Sequence, residues 1–179
     1  MSGPQDLFDH WWTVTPDSER LQWTLEPFTA AGPLRFGMNH DEALAALDSP
    51  ERPHLEPCGR VLESRLRHLG LTLYFGQRRE ALLGIAVDAL RGPQVLADGM
   101  ALTGRTPSLL ERWITDRGTR PPRPEILRMP GGQPASRTLG VVISFQRSHD
   151  LLLTRPVLLS REAAVNPSHV LPEEAWFIR

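Results

Sequence analysis

The sequence LGLTLYFGQRREALLGIAV at residues 69–87 returns in altered form as LGVVISFQRSHDLLLTRPV at residues 139–157. The two segments align without a gap and share these identical positions: Leu69, Gly70, Phe75, Leu82, Leu83 and Val87 recur as Leu139, Gly140, Phe145, Leu152, Leu153 and Val157. Each segment has an alternating apolar run, a polar turn and a second apolar run, which is typical of a β-hairpin with one buried face. The chain therefore contains an internal repeat.

A helix is predicted before each hairpin. In the first copy Asn39 is placed as N-cap, Glu42 completes a capping box, and Pro50 stops the helix. In the second copy Thr106 is placed as N-cap and Pro107 at the first helical position. Helix and hairpin therefore repeat together.

The predicted helices each carry an apolar stripe that we expect to be buried. The stripes are Ala43, Leu44 and Leu47 in the first helix, and Leu109, Leu110, Trp113 and Ile114 in the second. Gly118 is expected just past the end of the second helix. Gly37 and Gly104 precede the two helices at matching positions, which supports the repeat.

Further strands are predicted between each helix and its hairpin, at residues 60–67 and 125–129. Residues 22–26 and 94–102 are candidate strands leading into the two helices. The order favours an α+β fold: a tandem repeat of a helix plus an antiparallel β-meander, with both helices packed on one face of the sheet. Whether the sheet runs continuously through both copies stays open.

The repeat divides the chain into two parts that we expect to form one compact unit. Residues 1–91 hold an N-terminal segment and the first copy, and residues 92–179 hold the second copy and a C-terminal segment.

The segment GPLRFGMNHDEALAAL at residues 32–47, a Gly-Met turn that opens a short helix, resembles the start of the repeat in the β-lactamase-inhibitor-protein fold. It is also similar to the corresponding unit of small outer-membrane-assembly lipoproteins, and to openings found in actinobacterial proteins. The resemblance covers residues 32–159. It implies tandem units side by side, with an open sheet face that contacts another protein.

This chain departs from that pattern in specific ways. The secreted inhibitors have signal peptides and disulfides, whereas this sequence begins without a basic and apolar leader and has a single cysteine, Cys58. Arg105 stands in the second copy where the first has Met38. The resemblance therefore implies the architecture, and it does not imply inhibition of a β-lactamase.

Composition excludes several classes of partner. The net charge is −1 and aromatic residues make up 7%, so we expect no nucleic-acid partner. No apolar stretch is long enough to span a membrane, and we expect a cytoplasmic protein with no membrane partner. All 20 basic side chains are arginine, and they are scattered along the chain. This pattern fits a GC-rich genome, although arginine-rich surfaces can also bind anions.

No residue pattern demands catalysis or a cofactor. The six histidines have no zinc-ligand spacing with each other or with Cys58, so no metal site is predicted. The neighbouring pairs His40-Asp41 and His149-Asp150 are interpreted as structural, because adjacent helical residues do not face each other and the second pair lies in a turn. We therefore assign no catalytic residues and no cofactor, and whether the protein is an enzyme stays open, with a non-catalytic role favoured.

The open sheet face is the candidate site for a partner. On the predicted register this face carries mixed charges and a tyrosine: Glu63, Arg65, Arg67, Thr72, Tyr74 and Ser144. Trp11, Trp12 and Trp176 lie near the two ends of the chain, where they either cover this face or anchor a partner.

The sequence supports two functional hypotheses of different kinds. The first is a non-catalytic protein-binding module, such as an immunity or inhibitor protein that plugs a toxin or enzyme through the open face. The alternative is a small enzyme or anionic-ligand-binding protein, in which arginines of the groove between the repeats clamp the ligand.

Overall fold

The computed structural model describes residues 12–118 and 126–176. Within these residues the chain has an α+β fold with two sheets, which confirms the predicted fold class. The strands are β1 (Gln22–Glu26), β2 (Ala30–Ala31), β3 (Leu34–Arg35), β4 (Glu56–Cys58), β5 (Val61–Leu66), β6 (Leu71–Gly76), β7 (Leu82–Val87), β8 (Gln94–Ala97), β9 (Met100–Ala101), β10 (Ile126–Arg128), β11 (Pro134–Ser136), β12 (Val141–Ser148) and β13 (Leu151–Leu159). The helices are α1 (His40–Leu47), α2 (Pro107–Gly118), α3 (Arg161–Val165) and α4 (Pro167–Val170).

The larger sheet is antiparallel and has the strand order β10-β11-β12-β13-β7-β6-β5-β4. It contains two four-stranded meanders, β4 to β7 and β10 to β13, and these join where Ala86 of β7 lies opposite Val157 of β13. The two copies therefore form one continuous sheet. Each meander has one strand more than predicted: residues 60–67 contain β5, whereas residues 125–129 contain β10, and β11 takes the place equivalent to β5.

The second hairpin is longer than the gapless alignment of the two copies implies. Phe75 lies opposite Leu82 in the first hairpin, whereas the equivalent Phe145 lies opposite Thr154 in the second. Thr154, rather than Leu152, is therefore the structural counterpart of Leu82. A bulge in β7, between the partners of Tyr74 and Phe75, shifts the pairing of β7 by one further residue. From there on, residues of β7 and β13 that the gapless alignment matches lie on opposite faces of the sheet.

The turn before each helix repeats as well. Residues 37–38 exchange two backbone hydrogen bonds with Leu82, at 3.0 and 2.8 Å. Residues 104–105 exchange two with Thr154, at 2.8 and 2.9 Å. Both turns start with a glycine of positive φ, a conformation that a side chain would strain. Each helix is thereby tied to the last strand of its own meander.

The capping box predicted for α1 is present: Asn39 accepts from the backbone of Glu42, and the Glu42 side chain accepts from the backbone of Asn39. The second helix begins at Pro107, as predicted, and extends to Gly118, which had been placed beyond its end. One prediction for the buried stripes was wrong: Leu109 is not buried but 43% exposed.

Both helices pack on the same face of the eight-stranded sheet, as predicted. This helix face presents Leu71, Leu73 and Phe75 from β6 and their counterparts Val141, Ile143 and Phe145 from β12. The buried helix side chains Ala43, Leu44, Leu110 and Ile114 join them in one core.

The strands that lead into the two helices form a separate five-stranded sheet, order β3-β2-β1-β8-β9, beside the same core. Within this sheet, strands of the first copy and of the second meet in the parallel pair of β1 and β8, where Trp23 lies opposite Val95. The buried Arg20 side chain holds this region together by donating to the carbonyl oxygens of Thr15, Ala89, Leu90 and Gly92.

The opposite face of the large sheet is partly covered by a C-terminal cover, which we define as residues 161–176. It comprises α3, α4 and a 3-10 helix at Glu173–Ala175, none of which was predicted. Ala163, Leu171 and Trp176 pack there in a second apolar cluster with Val142 and Val157. The cover therefore packs over the second meander and over part of the first, since Tyr74 and Ala86 belong to the same cluster.

Candidate binding groove

The predicted register of the candidate face is correct. Alternation along β5 and β6 places Glu63 opposite Tyr74 and Arg65 opposite Thr72, on the side away from the helices. Ser144 of β12 lies on the same side, since its hydroxyl contacts the C-terminal cover. We call this side the groove face.

The expectation that this face is open was only partly right. Ser144 is completely buried, Tyr74 is 1% exposed and Glu63 is 5% exposed. The C-terminal cover is the cause: the Trp176 carbonyl accepts hydrogen bonds from Ser144 and from Gln133, at 2.9 and 2.8 Å. Arg65 remains exposed and Thr72 half-buried, so the opening lies over the first meander.

The predicted tryptophans differ in burial. Trp176 is 6% exposed and covers the face. Trp12 is 42% exposed, its carbonyl accepts a hydrogen bond from Ser148, and its ring lies 6.0 Å from that of His149. Trp11 lies outside the described residues.

A central cleft of about 150 Å³ lies between the cover and the first meander. Its main polar lining is Glu63, Arg65, Thr72, Tyr74, Asp88, Gln146, Arg155 and Glu174. One flanking cleft runs from it to Trp12, Arg67 and Arg91, and another to His54, Glu56 and Arg67. Arg65 lines all three clefts, so they meet at this side chain, and we call them together the groove.

Four polar residues of the central cleft were not predicted: Asp88, Gln146, Arg155 and Glu174. Arg155 was missed because the gapless alignment matches it with the buried Ile85, whereas the longer second hairpin turns it to the groove face. The sequence does hold one signal for Arg155: a charged residue stands where the first copy has the apolar Ile85, which indicates that the two positions differ in burial. Gln146 follows Ser144 by two residues on β12, so the alternation that selected Ser144 also points to it.

Charged side chains in the cleft are partly neutralised by each other. Arg65 Nε donates to Glu63 Oε1 at 2.5 Å, and although burial opposes it, this contact raises the pKa of Arg65. Burial raises the pKa of Tyr74, which outweighs the opposing effect of the neighbouring Arg155. Arg155 also donates to the Ala175 carbonyl at 2.8 Å, so it both lines the cleft and holds the cover.

Asp88 anchors the floor of the groove beside Arg155. Its Oδ1 accepts from the backbone of Leu90 and Arg91, and its Oδ2 accepts from Gln146 Nε2 at 2.8 Å. All three donors are neutral, so the carboxylate charge of Asp88 is held in place without an ion pair in these contacts.

Two potential nucleophiles have unfavourable surroundings. Burial, together with the charges of Glu63 and Glu174, raises the pKa of the Cys58 thiol, which is opposite to what a reactive thiolate requires. Ser64 bonds His40 Nε2 at 2.9 Å, but its side chain is completely buried on the helix face. Neither therefore makes an accessible catalytic pair with its neighbours.

Among residues 12–118 and 126–176, no group of three His, Cys, Asp or Glu side chains is arranged to hold a metal ion. No helix in the described part of the chain is both long and apolar enough to cross a membrane.

No protein-family model matches the chain, and comparisons with curated proteins and with solved structures give no significant match.

Proposed function

We propose that this protein is a non-catalytic binding module that holds a segment of another protein in the groove, as an immunity or inhibitor protein would. The observation that carries the proposal is the group of three clefts that meet at Arg65, whose lining contains both carboxylates and guanidinium groups. Neighbouring clefts with mixed charges suit a polypeptide segment with polar side chains.

The cytoplasm is the proposed setting, since Cys58 is an unpaired thiol and such thiols persist in reducing compartments. A similar fold would not by itself identify the function, because similar folds host unrelated functions. The groove residues carry the proposal on their own.

The test is affinity capture from the native host with the full chain and a variant that plugs the groove. Thr72 lines two of the clefts and is half-exposed, so Thr72→Trp fills the groove from its floor. Thr29→Trp, at an exposed loop position outside the groove, is the matched control. We expect one stoichiometric protein to be retained by the native chain and by the control, with at least tenfold weaker binding to Thr72→Trp.

A partner retained equally by all three chains would show that it binds elsewhere and would overturn the groove assignment. Tyr74 is unsuitable for this test, because it is 1% exposed and its removal would damage packing.

A second candidate is a small anionic ligand, favoured by the presence of Arg65 and Arg155 in the central cleft. Calorimetric titration with citrate and with phosphate tests it. Saturable binding that Arg155→Met abolishes, together with no retained protein, would support this candidate over the first.

A further inference from the structure

One of the three clefts is rich in positive charge, although the chain as a whole has a net charge of −1. This cleft has a volume of about 340 Å³, and we call it the basic cleft. A surplus of one charge in a concave site attracts ligands of the opposite charge. Among the described residues, its charged lining is four arginines and one carboxylate: Arg65, Arg67, Arg91, Arg155 and Asp88.

The single carboxylate of the basic cleft does not neutralise these arginines. Asp88 accepts from two backbone N–H groups and from the side chain of Gln146, which are all neutral donors. None of the ion pairs between described residues joins Asp88 to a lining arginine. Among these residues the cleft therefore keeps a surplus of positive charge, even after the pairing of Arg65 with Glu63.

Two turns that pack against each other hold the exposed Arg67 and Arg91 at the same end of the sheet. Arg67 lies in the turn from β5 to β6, where its carbonyl accepts from the backbone of Gly70 at 3.3 Å. Arg91 lies in the turn after β7, where the Asp88 carbonyl accepts from the backbone of Gly92 at 3.0 Å. The Asp88 backbone in turn donates to the Gly70 carbonyl at 2.8 Å, which joins the two turns. The backbone that carries both arginines is therefore fixed before anything binds, which lowers the cost of ordering the site.

The chemistry of the basic cleft restricts what could occupy it. Guanidinium groups only donate hydrogen bonds, and their planar fork matches the two oxygens of a carboxylate. Trp12 lines the same cleft with a ring that is 42% exposed, and its carbonyl is held by the Ser148 hydroxyl at 2.7 Å. A partly exposed aromatic ring offers an apolar contact. The occupant should therefore combine carboxylates with an aromatic group.

We propose that the basic cleft receives an acidic stretch of the partner polypeptide, an inference that rests on the proposed function. Carboxylate side chains of this stretch pair with Arg67 and Arg91, and a neighbouring aromatic side chain packs against Trp12. A polypeptide fits better than a single small anion, because the central cleft meets the basic cleft at Arg65 and offers further surface to the residues beside the acidic stretch.

Titration calorimetry with the full chain tests this with three blocked probes. The first is acetyl-Phe-Glu-Ala-Glu-Gly-amide, whose two carboxylates lie on one side of an extended segment. The second replaces both glutamates with neutral, nearly isosteric glutamine, and the third is acetyl-glutamate-amide alone. In about 0.15 M sodium chloride, which screens charges over about 8 Å, we expect the first to bind at least tenfold more tightly than either of the others. Equal binding of the glutamine peptide would overturn the anion site, and so would no binding of the first peptide.

Protein variants locate the site. Arg67→Gln and Arg91→Gln remove one exposed charge each, and together we expect them to weaken binding of the glutamate peptide at least tenfold. Arg112→Gln removes an exposed charge from α2, on the other side of the sheet, and is the matched control. Loss of affinity only in the cleft variants supports the site; unchanged affinity in the double variant, or an equal loss in the control, overturns it.

The aromatic contact has its own variant. Trp12→Ala removes the ring and leaves the arginines in place, and we expect it to weaken binding of the phenylalanine-containing peptide at least threefold. Unchanged affinity would overturn the contact between Trp12 and the aromatic side chain of the partner.

The two proposals fail in distinguishable ways. Acetyl-glutamate-amide binding as tightly as the first peptide, with loss in the double variant, would mean that the site takes a free small anion, which overturns the polypeptide partner. A captured partner that Thr72→Trp loses but the double variant retains would leave the proposed function standing and overturn the acidic stretch.

Discussion

The two meanders have the same strand order, yet their groove faces differ. In the first, β5 presents Glu63 and Arg65 beside Thr72 of β6, and the groove opens above them. In the second, the equivalent strand β11 is buried along its length, and Val142 takes the place of Thr72 under the C-terminal cover. Side chains in equivalent backbone positions are thus charged where the sheet stays open and small or apolar where chain packs upon it. The cover, rather than the strand pattern, decides where a site can exist.

The largest expected effect is on stability, where substitutions on the helix face should cost more than substitutions on the groove face. Two neighbouring residues of β6, one on each face, allow a direct comparison. Leu73 is completely buried in the main core, so Leu73→Ala should lower the free energy of unfolding by about 3 kcal/mol. Thr72, one residue earlier, faces the groove, and Thr72→Ala should cost about 0.5 kcal/mol or less. Urea denaturation followed by circular dichroism gives both values.

Equal losses for these two variants would contradict the view that Leu73 lies in a sealed core and Thr72 on an open part of the opposite face. Leu73→Met, which keeps apolar volume, serves as the control and should lose less than Leu73→Ala.

Equivalent glycines at the start of the two hairpins should differ in their tolerance of a side chain. Gly70 and Gly140 share a φ of +63°, so alanine is strained at both. A Cβ on Gly70 would lie 2.5 Å from the backbone nitrogen of Gly92, whereas one on Gly140 would meet the ring of Phe28 at 2.7 Å. Because a ring moves more readily than a backbone, Gly70→Ala should cost about 2 kcal/mol and Gly140→Ala about 1 kcal/mol.

Thermal unfolding of both variants checks this order. Gly99→Ala is a suitable reference, since that glycine also has positive φ but open space around its would-be Cβ. A greater loss at Gly140 than at Gly70 would refute the argument from close backbone approach.

Local rules made much of this fold predictable from sequence. The capping box of Asn39 and Glu42 is read from residues within one turn, and the alternation of Leu71, Leu73 and Phe75 fixes which face is buried. That alternation also placed Glu63 and Arg65 correctly on the other face.

What sequence did not reveal depends on long-range packing. The side chains that complete the cleft, Arg155 and Glu174, come from a lengthened hairpin and from the C-terminal cover. The short strands β4 and β11 contain proline, which disfavours strand interiors, so propensity argued against them. No local pattern tells that residues 161–176 fold back over a sheet face rather than extend into solvent.

Removing one hydrogen bond between the C-terminal cover and the sheet should loosen the cover over the second meander. Ser144→Ala deletes the hydrogen bond to the Trp176 carbonyl and should cost about 1 kcal/mol. We expect hydrogen exchange to accelerate at Leu171 and Ala175, while the amide of Leu73 keeps its protection. This would show that the cover opens independently of the sheet.

Ser18→Ala, at an exposed position away from the cover, should leave exchange unchanged. Faster exchange spread evenly over both meanders would mean that the cover and the sheet unfold as one unit.

The smallest expected difference between the copies is in pH dependence, which should arise at His40 of the first copy, where the second has Pro107. Burial lowers the pKa of His40, and the nearby charges of Asp41 and Glu80 offset this only in part. The unfolded chain therefore binds a proton more readily than the folded chain. Stability from this group is full above the ordinary histidine value of about 6.5, falls as pH drops below it, and levels off below the lowered pKa of the folded state.

His40→Gln can still accept a hydrogen bond from Ser64 but does not titrate, so its unfolding free energy should fall less steeply than that of the native chain as the pH drops below 6.5. Urea denaturation at a series of pH values measures the two slopes. Identical slopes for His40→Gln and the native chain would mean that the burial of His40 does not disfavour its protonation, and the pH dependence of stability would then arise from other groups.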